Sequence, residues 1–317
     1  HTVCRLATAR HAQATTARVA YAVLYQQARA YQYLTIITSK ATIMKLKNIL
    51  LGAASAIAIF ATVACQEVDP NDRLIYVKPA EVGRAVLIED FTGQKCPNCP
   101  NGTNAINNIV EAYGEENVIA VGIHSGPLGM KSSKKRVGLM TDTGNEYYKH
   151  WDSQSKLGQP WALFNRATAP NEDYNTWASY VGALISKKAA LSLSVNNIYD
   201  AASRKLTIDV KALGTDGNTT GKLQVWLIED GIVAMQTMPD GNANMEYVHN
   251  HVFRDAVNTT WGEDVTVNEG KTTEKQYEYT LPENWNAEKV SVVAFVYDDN
   301  EVKQVTKKAV FAETAAE

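Results

Sequence analysis

The sequence contains only four cysteines among its 317 residues, at positions 4, 65, 96 and 99. So few cysteines exclude a small scaffold that is held together by many disulfides. Cys96 and Cys99 form a close pair, and a structural zinc site would need two more soft ligands beside them. Because no other cysteine lies near this pair, we predict neither a metal nor another cofactor.

Acidic residues are absent from the first 64 positions, and the first methionine is Met44. Residues 1–43 carry five Lys or Arg residues, without hydrophobic alternation or turn residues. A basic, acid-free segment is typical either of translated sequence upstream of the true start or of an organellar transit peptide. We favour the upstream interpretation, because a bacterial-type signal begins at Met44.

Residues 44–64 are typical of a bacterial signal peptide. Two lysines precede an apolar run over residues 49–64, and these 16 residues are short for a membrane span. The run ends in Thr-Val-Ala-Cys, which resembles a lipobox. The resemblance implies that Cys65 is lipidated and becomes the mature N-terminus, with enough acyl chains for stable membrane attachment. The alternative is a plain signal peptide with an incidental cysteine.

Residues 65–73 form a short acidic tether. Acidic residues directly after a lipobox resemble a surface-export signal of some Gram-negative lipoproteins, and a solvated linker explains them equally well. Without residues 1–64 the chain keeps 24 basic and 34 acidic residues, a net charge of −10. This charge argues against nucleic acid or anionic lipid head groups as partners. We predict an outer membrane lipoprotein on the periplasmic or the cell-surface face.

Residues 86–100 predict a strand that runs into a turn with Cys96 and Cys99, followed by an amphipathic helix. A close cysteine pair between a strand and a helix is typical of a redox motif. Pro97 favours Cys96 as the helix N-cap, although Pro100 favours a start one turn later.

The first cysteine has two neighbouring features that favour its thiolate form. One is the positive end of the helix, and the other is the charge of Lys95. We therefore expect Cys96 to be the exposed, attacking thiol and Cys99 to be the buried one.

This segment resembles the thioredoxin superfamily, in which a buried acid followed by Phe lies six positions before the first cysteine. Asp90 and Phe91 occupy those places. The resemblance implies that Asp90 takes the proton of the resolving thiol. Lys95 stands where the family usually has an aromatic residue. The family also has a cis-proline before a strand that packs against the disulfide, and Pro160 matches it; an ordinary trans turn proline is the alternative.

The rest of the first half alternates strands and helices. Residues 118–124 predict a buried parallel strand that ends at His124, and we favour a structural hydrogen-bonded role for this histidine over that of a proton carrier beside the thiols. The other expected elements are an inserted loop over 126–143, a helix over 146–151, a strand over 161–164 and a helix over 174–187. Residues 74–188 are thus predicted to form an α/β thioredoxin-like domain.

From residue 189 the sequence changes to strands with period-two alternation, separated by turn residues. These strands cover residues 191–195, 205–210, 222–228, 276–281 and 290–297. They predict an all-β immunoglobulin-like sandwich domain over 189–313, without disulfides.

Residues 247–255 are unusual within this second half. His249 and His251 would share one face of a strand, and Arg254 follows them. A polar network or an interdomain contact explains these residues best, and a ligand site is the alternative. We expect no metal here, because the segment has no further cluster of ligands.

The arrangement as a whole resembles the lipoprotein family related to the twenty-eight-kilodalton outer-membrane protein. The matching features are the lipobox, the Cys-x-x-Cys segment, Asn165-Arg166 and residues 248–254, and together they span most of residues 65–312. The resemblance implies an outer-membrane location and a thioredoxin-like domain followed by a sandwich.

Two functions fit these features. In the first, which we favour, the protein exchanges thiols with disulfides of envelope proteins: Cys96 attacks, Cys99 resolves, Asp90 handles protons and Pro160 shapes the peptide groove. In the second, it is a surface-exposed binding or adhesion lipoprotein, and the cysteine pair is a fixed structural disulfide. The acidic tether bears on this choice, because it resembles a surface-export signal. A protein outside the cell has no obvious partner that would restore the redox state of its cysteine pair.

Overall fold

The computed structural model describes residues 78–311, so the signal peptide, Cys65 and the whole tether lie outside the described residues. The elements in chain order are β1 (Val82–Gly83), β2 (Val86–Thr92), α1 (Cys99–Tyr113), β3 (Val118–His124), α2 (Asp142–Trp151), β4 (Trp161–Phe164), α3 (Trp177–Ile185), β5 (Lys188–Ala189), β6 (Leu191–Asp200), β7 (Lys205–Gly214), β8 (Thr219–Glu229), β9 (Ile232–Thr237), β10 (Ala243–His249), β11 (Val252–Ala256), β12 (Glu263–Val267), β13 (Thr272–Thr280), a 3-10 helix (Ala287–Lys289), β14 (Val290–Tyr297) and β15 (Val302–Ala309). Within residues 78–311, no helix combines the length and apolar character that crossing a membrane requires.

An eight-stranded sheet dominates the described part of the chain. Its order is β15-β14-β8-β11-β3-β2-β4, and β12 also pairs with β8. β2 and β3 run parallel, whereas β4 is antiparallel to β2. β11 lies antiparallel to β8 and parallel to β3, where the Gly122 N–H donates to the His251 carbonyl at 2.8 Å. The sheet therefore continues across residue 189, where the sequence suggested a domain boundary.

Three smaller sheets complete this mainly β architecture. β13, β7 and β6 form a three-stranded antiparallel sheet, and β1-β5 and β10-β9 are two-stranded. The hairpin of β9 and β10 extends over the strand that leads to the cysteines, because Thr237 N donates to the Gln94 carbonyl at 2.9 Å. The second half of the chain thereby reaches the predicted site in the first half.

Strand β8 from Leu223 onward and strand β14 up to Val296 are buried on both faces, which explains their nearly continuous apolar sequences. Side chains of a strand alternate between faces. Val225 and Leu227 point into a core shared with the three-stranded sheet, whereas Trp226 and Ile228 point into a core shared with α2 and one face of β2. A third core lies between the other face of β2, β3 and β4 and the helices α1 and α3.

Helix α1 begins at Cys99, with Asn98 as its N-cap, so the favoured assignment of Cys96 as N-cap is wrong. The Cys96 N–H instead donates to the Gly93 carbonyl at 3.0 Å, which places this cysteine in a turn. Pro100 occupies the first turn of the helix, where its missing N–H removes no helical hydrogen bond. The later start is the one that Pro100 favours.

Candidate functional site

The cysteine pair lies where β2 turns into α1, and Cys96 and Cys99 form a disulfide. The Cys99 N–H points at Cys96 Sγ, at 3.0 Å. This N–H belongs to the first residue of α1, so the positive end of the helix acts on the first sulfur. Cys96 Sγ also lies 3.3 Å from the Gln159 carbonyl oxygen. The Gln159–Pro160 peptide bond is cis, which is the isomer that the sequence favoured.

Both cysteines are buried, and the expectation of an exposed Cys96 is wrong. The exposed fraction is 0% for Cys96 and 2% for Cys99. Two segments lie over the turn, namely the loop of residues 126–140 and the β9-β10 hairpin of residues 232–249. We call these two segments the cover. The sequence predicted a loop insertion here, but its pattern does not show where a loop folds.

Two glutamines fasten the cover to the cysteine turn. The Gln94 side chain donates to the carbonyls of Val137 and Met235, at 3.1 Å each, and accepts from Leu139 N–H at 2.8 Å. The Gln236 side chain donates to the Cys96 carbonyl at 2.8 Å and to the Gly93 carbonyl at 3.3 Å. Both side chains are buried, so breaking these bonds leaves polar atoms without partners unless water enters.

A small cavity of about 30 Å³ lies behind Cys99. This volume is enough for a water molecule. Its lining comes from both halves of the chain and consists of Asp90, Thr92, Cys99, Thr103, Gly122, His124, Gln236, Tyr247, His249 and Asn250. The structure thus brings the predicted Asp90, Cys99, His124 and His249 to one place.

Asp90 is the most perturbed acid beside the disulfide. It is 3% exposed, and its Oδ1 has no hydrogen-bond partner among residues 78–311. Burial raises the pKa of Asp90 from 3.8 to about 8, because the protein interior disfavours the carboxylate. The carboxyl can therefore hold or release a proton near neutral pH, close to the ordinary pKa of a thiol.

Two buried histidines meet at the same cavity. The rings of His124 and His249 lie edge to face with centroids 5.1 Å apart. Burial lowers the pKa of His124 well below its ordinary value and that of His249 to about 4, so both are neutral at pH 7. His124 Nδ1 and His249 Nε2 have no hydrogen-bond partner within the described part of the chain.

Tyr247 completes this polar group, although the sequence did not single it out. Its ring lies 4.8 Å from that of His249, and burial, followed in smaller part by the charge of Asp90, raises its pKa. Tyrosine and glutamine side chains within a short strand carry no pattern that distinguishes a site from a surface. The parallel strand ending at His124 was the available signal, since it places that histidine beside the end of β2.

His251 and Arg254 do not line the cavity. β10 ends at His249, and His251 adopts a φ of 56°, which turns the chain into β11. The expectation that His249 and His251 share a strand face is therefore wrong. His251 Nδ1 lies 3.2 Å from Asp230 Oδ1, and Arg254 Nε lies 3.4 Å from Glu229 Oε2.

The remaining predicted residue, Lys95, is exposed, and its backbone N–H donates to the Leu128 carbonyl at 3.0 Å. Across residues 78–311, no group of three His, Cys, Asp or Glu side chains is arranged to hold a metal ion. The chemistry available at the site is therefore that of two cysteines, a carboxyl with a high pKa and neutral imidazoles.

Comparison with solved structures supports the overall architecture. HBP35 of Porphyromonas gingivalis superimposes with a TM-score of 0.57 at 16% sequence identity, over 75% of this chain and 80% of that one. At this identity, the likeness concerns the fold alone. A domain of the outer membrane lipoprotein Omp28 from Porphyromonas gingivalis is 30% identical over 38% of this chain and 88% of that one, with a TM-score of 0.29. No curated protein matches the chain.

A family model provides the assignment. The model described as outer membrane protein Omp28 matches residues 144–314, which is more than half of the chain and includes β4 through β15. Cys96 and Cys99 lie before the matched residues, so the match is independent of them. The chain belongs to the Omp28 family, and the protein is located in the outer membrane.

Proposed function

We propose that the protein exchanges thiols and disulfides of envelope proteins at Cys96 and Cys99. The observation that carries this proposal is Asp90, a buried carboxyl with an unpaired oxygen that lines the same cavity as Cys99. Burying an unpaired polar group costs stability, and a disulfide that only cross-links the chain requires no such group. A carboxyl with a pKa of about 8 is suited to receive and return the proton of the second thiol.

The exchange takes two steps. In the reduced protein, the Cys96 thiolate attacks one sulfur of a substrate disulfide, and the other substrate sulfur leaves as a thiolate. The Cys99 thiol then passes its proton to the carboxylate form of Asp90, and the resulting Cys99 thiolate attacks the Cys96 sulfur. This forms the protein disulfide and releases the second substrate thiolate, so two electrons pass to the substrate. The same steps in reverse oxidise a substrate dithiol.

We also assign a thioredoxin-like domain to residues 74–188 and an immunoglobulin-like sandwich to residues 189–313. The first assignment is supported by the order of β2, cysteine turn and α1, and by the cis bond before β4. The second is supported by the shared core between the three-stranded sheet and the strands β8 and β14. In this assignment the sandwich domain contributes Gln236, Tyr247 and His249 to the redox site.

The test compares two cysteine variants. In the Cys99→Ala variant, no second thiol can resolve the mixed disulfide that Cys96 forms with a substrate. Envelope proteins should therefore be recovered as mixed disulfides with Cys96, and a reducing agent should release them. Cys96→Ala is the matched control and should trap far less. The wild-type pair should have a reduction potential above about −300 mV, the level below which structural disulfides usually lie. Asp90→Asn should slow resolution more than attack.

The second function, a binding or adhesion lipoprotein with a fixed disulfide, is favoured by one observation. Cys96 has an exposed fraction of 0%, and a partner can reach it only if the cover opens. The same experiment decides between the two. If the reduction potential of the wild-type pair lies below about −300 mV and the Cys99→Ala variant traps no envelope protein, the disulfide is structural.

We propose further that a lipid on Cys65 attaches the protein to the outer membrane. Cys65→Ala should move the protein from the membrane into a soluble fraction, because the acyl chains provide the attachment. Cys96→Ala is the matched control and should stay in the membrane fraction, because it removes a cysteine of the mature chain that carries no lipid. Attachment that persists in Cys65→Ala would contradict the proposal, and protease treatment of whole cells distinguishes the periplasmic face from the surface.

A further inference from the structure

A second concave site lies within residues 78–311 and shares no lining residue with the cavity behind Cys99. Its volume is about 560 Å³, within the roughly 300–1,000 Å³ of small-molecule sites. The end of α2, the start of β8, the loop before β12 and the turn between β14 and β15 form its walls. We call it the Trp261 pocket.

The floor of the Trp261 pocket is a buried ion pair. Arg166 lines the pocket, is 8% exposed and makes two hydrogen bonds of 2.8 Å to Glu89, which is fully buried. Asn165 and Arg166 have φ values of 48° and 52°, a conformation that costs energy for residues other than glycine. A buried ion pair is weak evidence for stability. The strained backbone and the costly pair are better explained by a function of the surface that they build.

Aromatic rings form the walls. Trp151, Trp261 and Tyr297 line the pocket, and the Tyr297 hydroxyl donates to the Trp261 carbonyl at 2.6 Å. The Trp261 ring also packs against the His150 ring, with centroids 4.5 Å apart. These contacts fix the walls in place, as expected of a preformed site. Trp151 Nε1 is shielded from solvent and has no partner within the described residues, which is unusual for a buried indole.

The charges around the pocket largely cancel. Lys222 pairs with Asp264 at 2.8 Å, and Asp298 pairs with Lys303, also at 2.8 Å. Arg166 is neutralised by Glu89. The lining therefore offers many hydrogen-bonding groups but little net field, with the exposed Asp299 as an additional acceptor at the rim.

This combination selects one class of ligand. An anion would meet three rim carboxylates, and a cation would find the face of Tyr297 already covered by the Arg166 guanidinium, 4.5 Å from the ring centroid. A purely apolar ligand would strip water from charged groups without replacing their hydrogen bonds. A neutral molecule with a flat apolar face and a rim of hydroxyls meets none of these costs.

We propose that the Trp261 pocket binds a neutral saccharide. The apolar C–H face of a pyranose ring stacks on the indole of Trp261, and its hydroxyls bond to Lys222 and to the carboxylates at the rim. Carboxylates accept and ammonium groups donate, so together they match hydroxyls, which do both. This site is independent of the disulfide, and the proposal holds whether or not the cysteine pair exchanges with substrates.

The experiment titrates the full chain in detergent with maltose, cellobiose, lactose and N,N′-diacetylchitobiose, followed by tryptophan fluorescence and calorimetry. At least one of these sugars should bind saturably. Trp261→Ala should weaken that binding at least tenfold and Asp299→Ala several-fold, whereas Phe311→Ala, which removes a partly exposed ring outside the pocket, should leave it unchanged.

Asp299 is exposed, so Asp299→Ala decides the question if Trp261→Ala fails to fold. Three results overturn the proposal. One is the absence of saturation by any of the four sugars up to about 10 mM. Another is binding that neither pocket variant weakens. The third is stronger binding of glucuronate, choline or adenosine, which represent the anionic, cationic and aromatic classes.

Discussion

Replacing Asp90 by asparagine should stabilise the protein at neutral pH even though it impairs exchange. The folded carboxyl has a pKa of about 8 and the unfolded one a pKa of 3.8. Between these values the Asp90 carboxyl binds more protons in the folded state than in the unfolded state, so its contribution to wild-type stability falls as pH rises through this window. The amide of the Asp90→Asn variant does not titrate and therefore escapes this loss.

The size of the effect follows from the same two pKa values. At pH 7, keeping Asp90 protonated in the folded state costs about 4 kcal/mol, at about 1.36 kcal/mol for each pH unit above 3.8. A buried amide also loses water, so we expect a net gain of about 2–4 kcal/mol for Asp90→Asn at pH 7. At pH 4.5 the gain should shrink to about 1 kcal/mol or less.

The assay is urea unfolding of the oxidised protein at pH 4.5, 6, 7 and 8, with both proteins compared at each pH. Taking the difference between them cancels the contributions of the other titrating groups. Asp216→Asn is the control, because Asp216 is exposed and pairs with Lys78, which lowers its pKa out of this range. Parallel pH profiles for wild type and Asp90→Asn would refute the reasoning that Asp90 is buried and protonated at neutral pH.

Three further predictions concern the cover, the histidines and the pocket floor. Gln236→Ala removes two hydrogen bonds to the cysteine turn, worth about 1 kcal/mol each, so a small thiol should reduce the disulfide at least roughly tenfold faster. The control Gln276→Ala, on the exposed face of a sheet, should leave the rate of reduction unchanged. An equal rate for Gln236→Ala and wild type would contradict the inference that the cover shields the disulfide. The contribution of His249 to stability should fall as pH drops below 6.5, because the unfolded His249 takes up a proton while the folded one has a pKa of about 4. In urea titrations at pH 4 to 6.5, His249→Gln should therefore gain stability relative to wild type as pH falls, and a constant difference between the two proteins would show that His249 is not buried. Arg166→Met leaves Glu89 buried without a partner and should lower the unfolding free energy by about 3–5 kcal/mol. The double variant Arg166→Met, Glu89→Gln should recover part of this loss. A loss below about 1 kcal/mol for Arg166→Met would show that the pair is not buried.

Local features of the site were predictable from the sequence. The Cys-x-x-Cys turn after β2, the strand β4 and the strand β14 lie where hydrophobic runs and turn residues placed them. Pro160 also precedes a strand as expected, although its cis form was implied only by the resemblance to the thioredoxin superfamily. These features depend on residues close together in the chain, whose conformational preferences the sequence states directly.

The cover was not predictable, because it depends on contacts between distant segments. Gln236 reaches Cys96 across 140 residues, and a glutamine in a short strand gives no sign of its partner. The segment around His249 is unusual in the sequence, but the positive φ of His251 ends the expected strand early. A histidine rarely adopts that conformation, and tertiary contacts here outweigh local preference.

The bond between β3 and β11 has a consequence for how the chain reaches its native state. One edge of β3 stays unpaired until β11 has been synthesised, because Gly122 pairs with Val252, about 130 residues later in the chain. A nascent chain that has delivered only its first half presents an open strand edge, and such edges recruit other chains into aggregates. Because the protein is located in the outer membrane, the chain is also exported into the envelope. Its survival there should depend on a chaperone that holds this edge until the last third of the chain arrives.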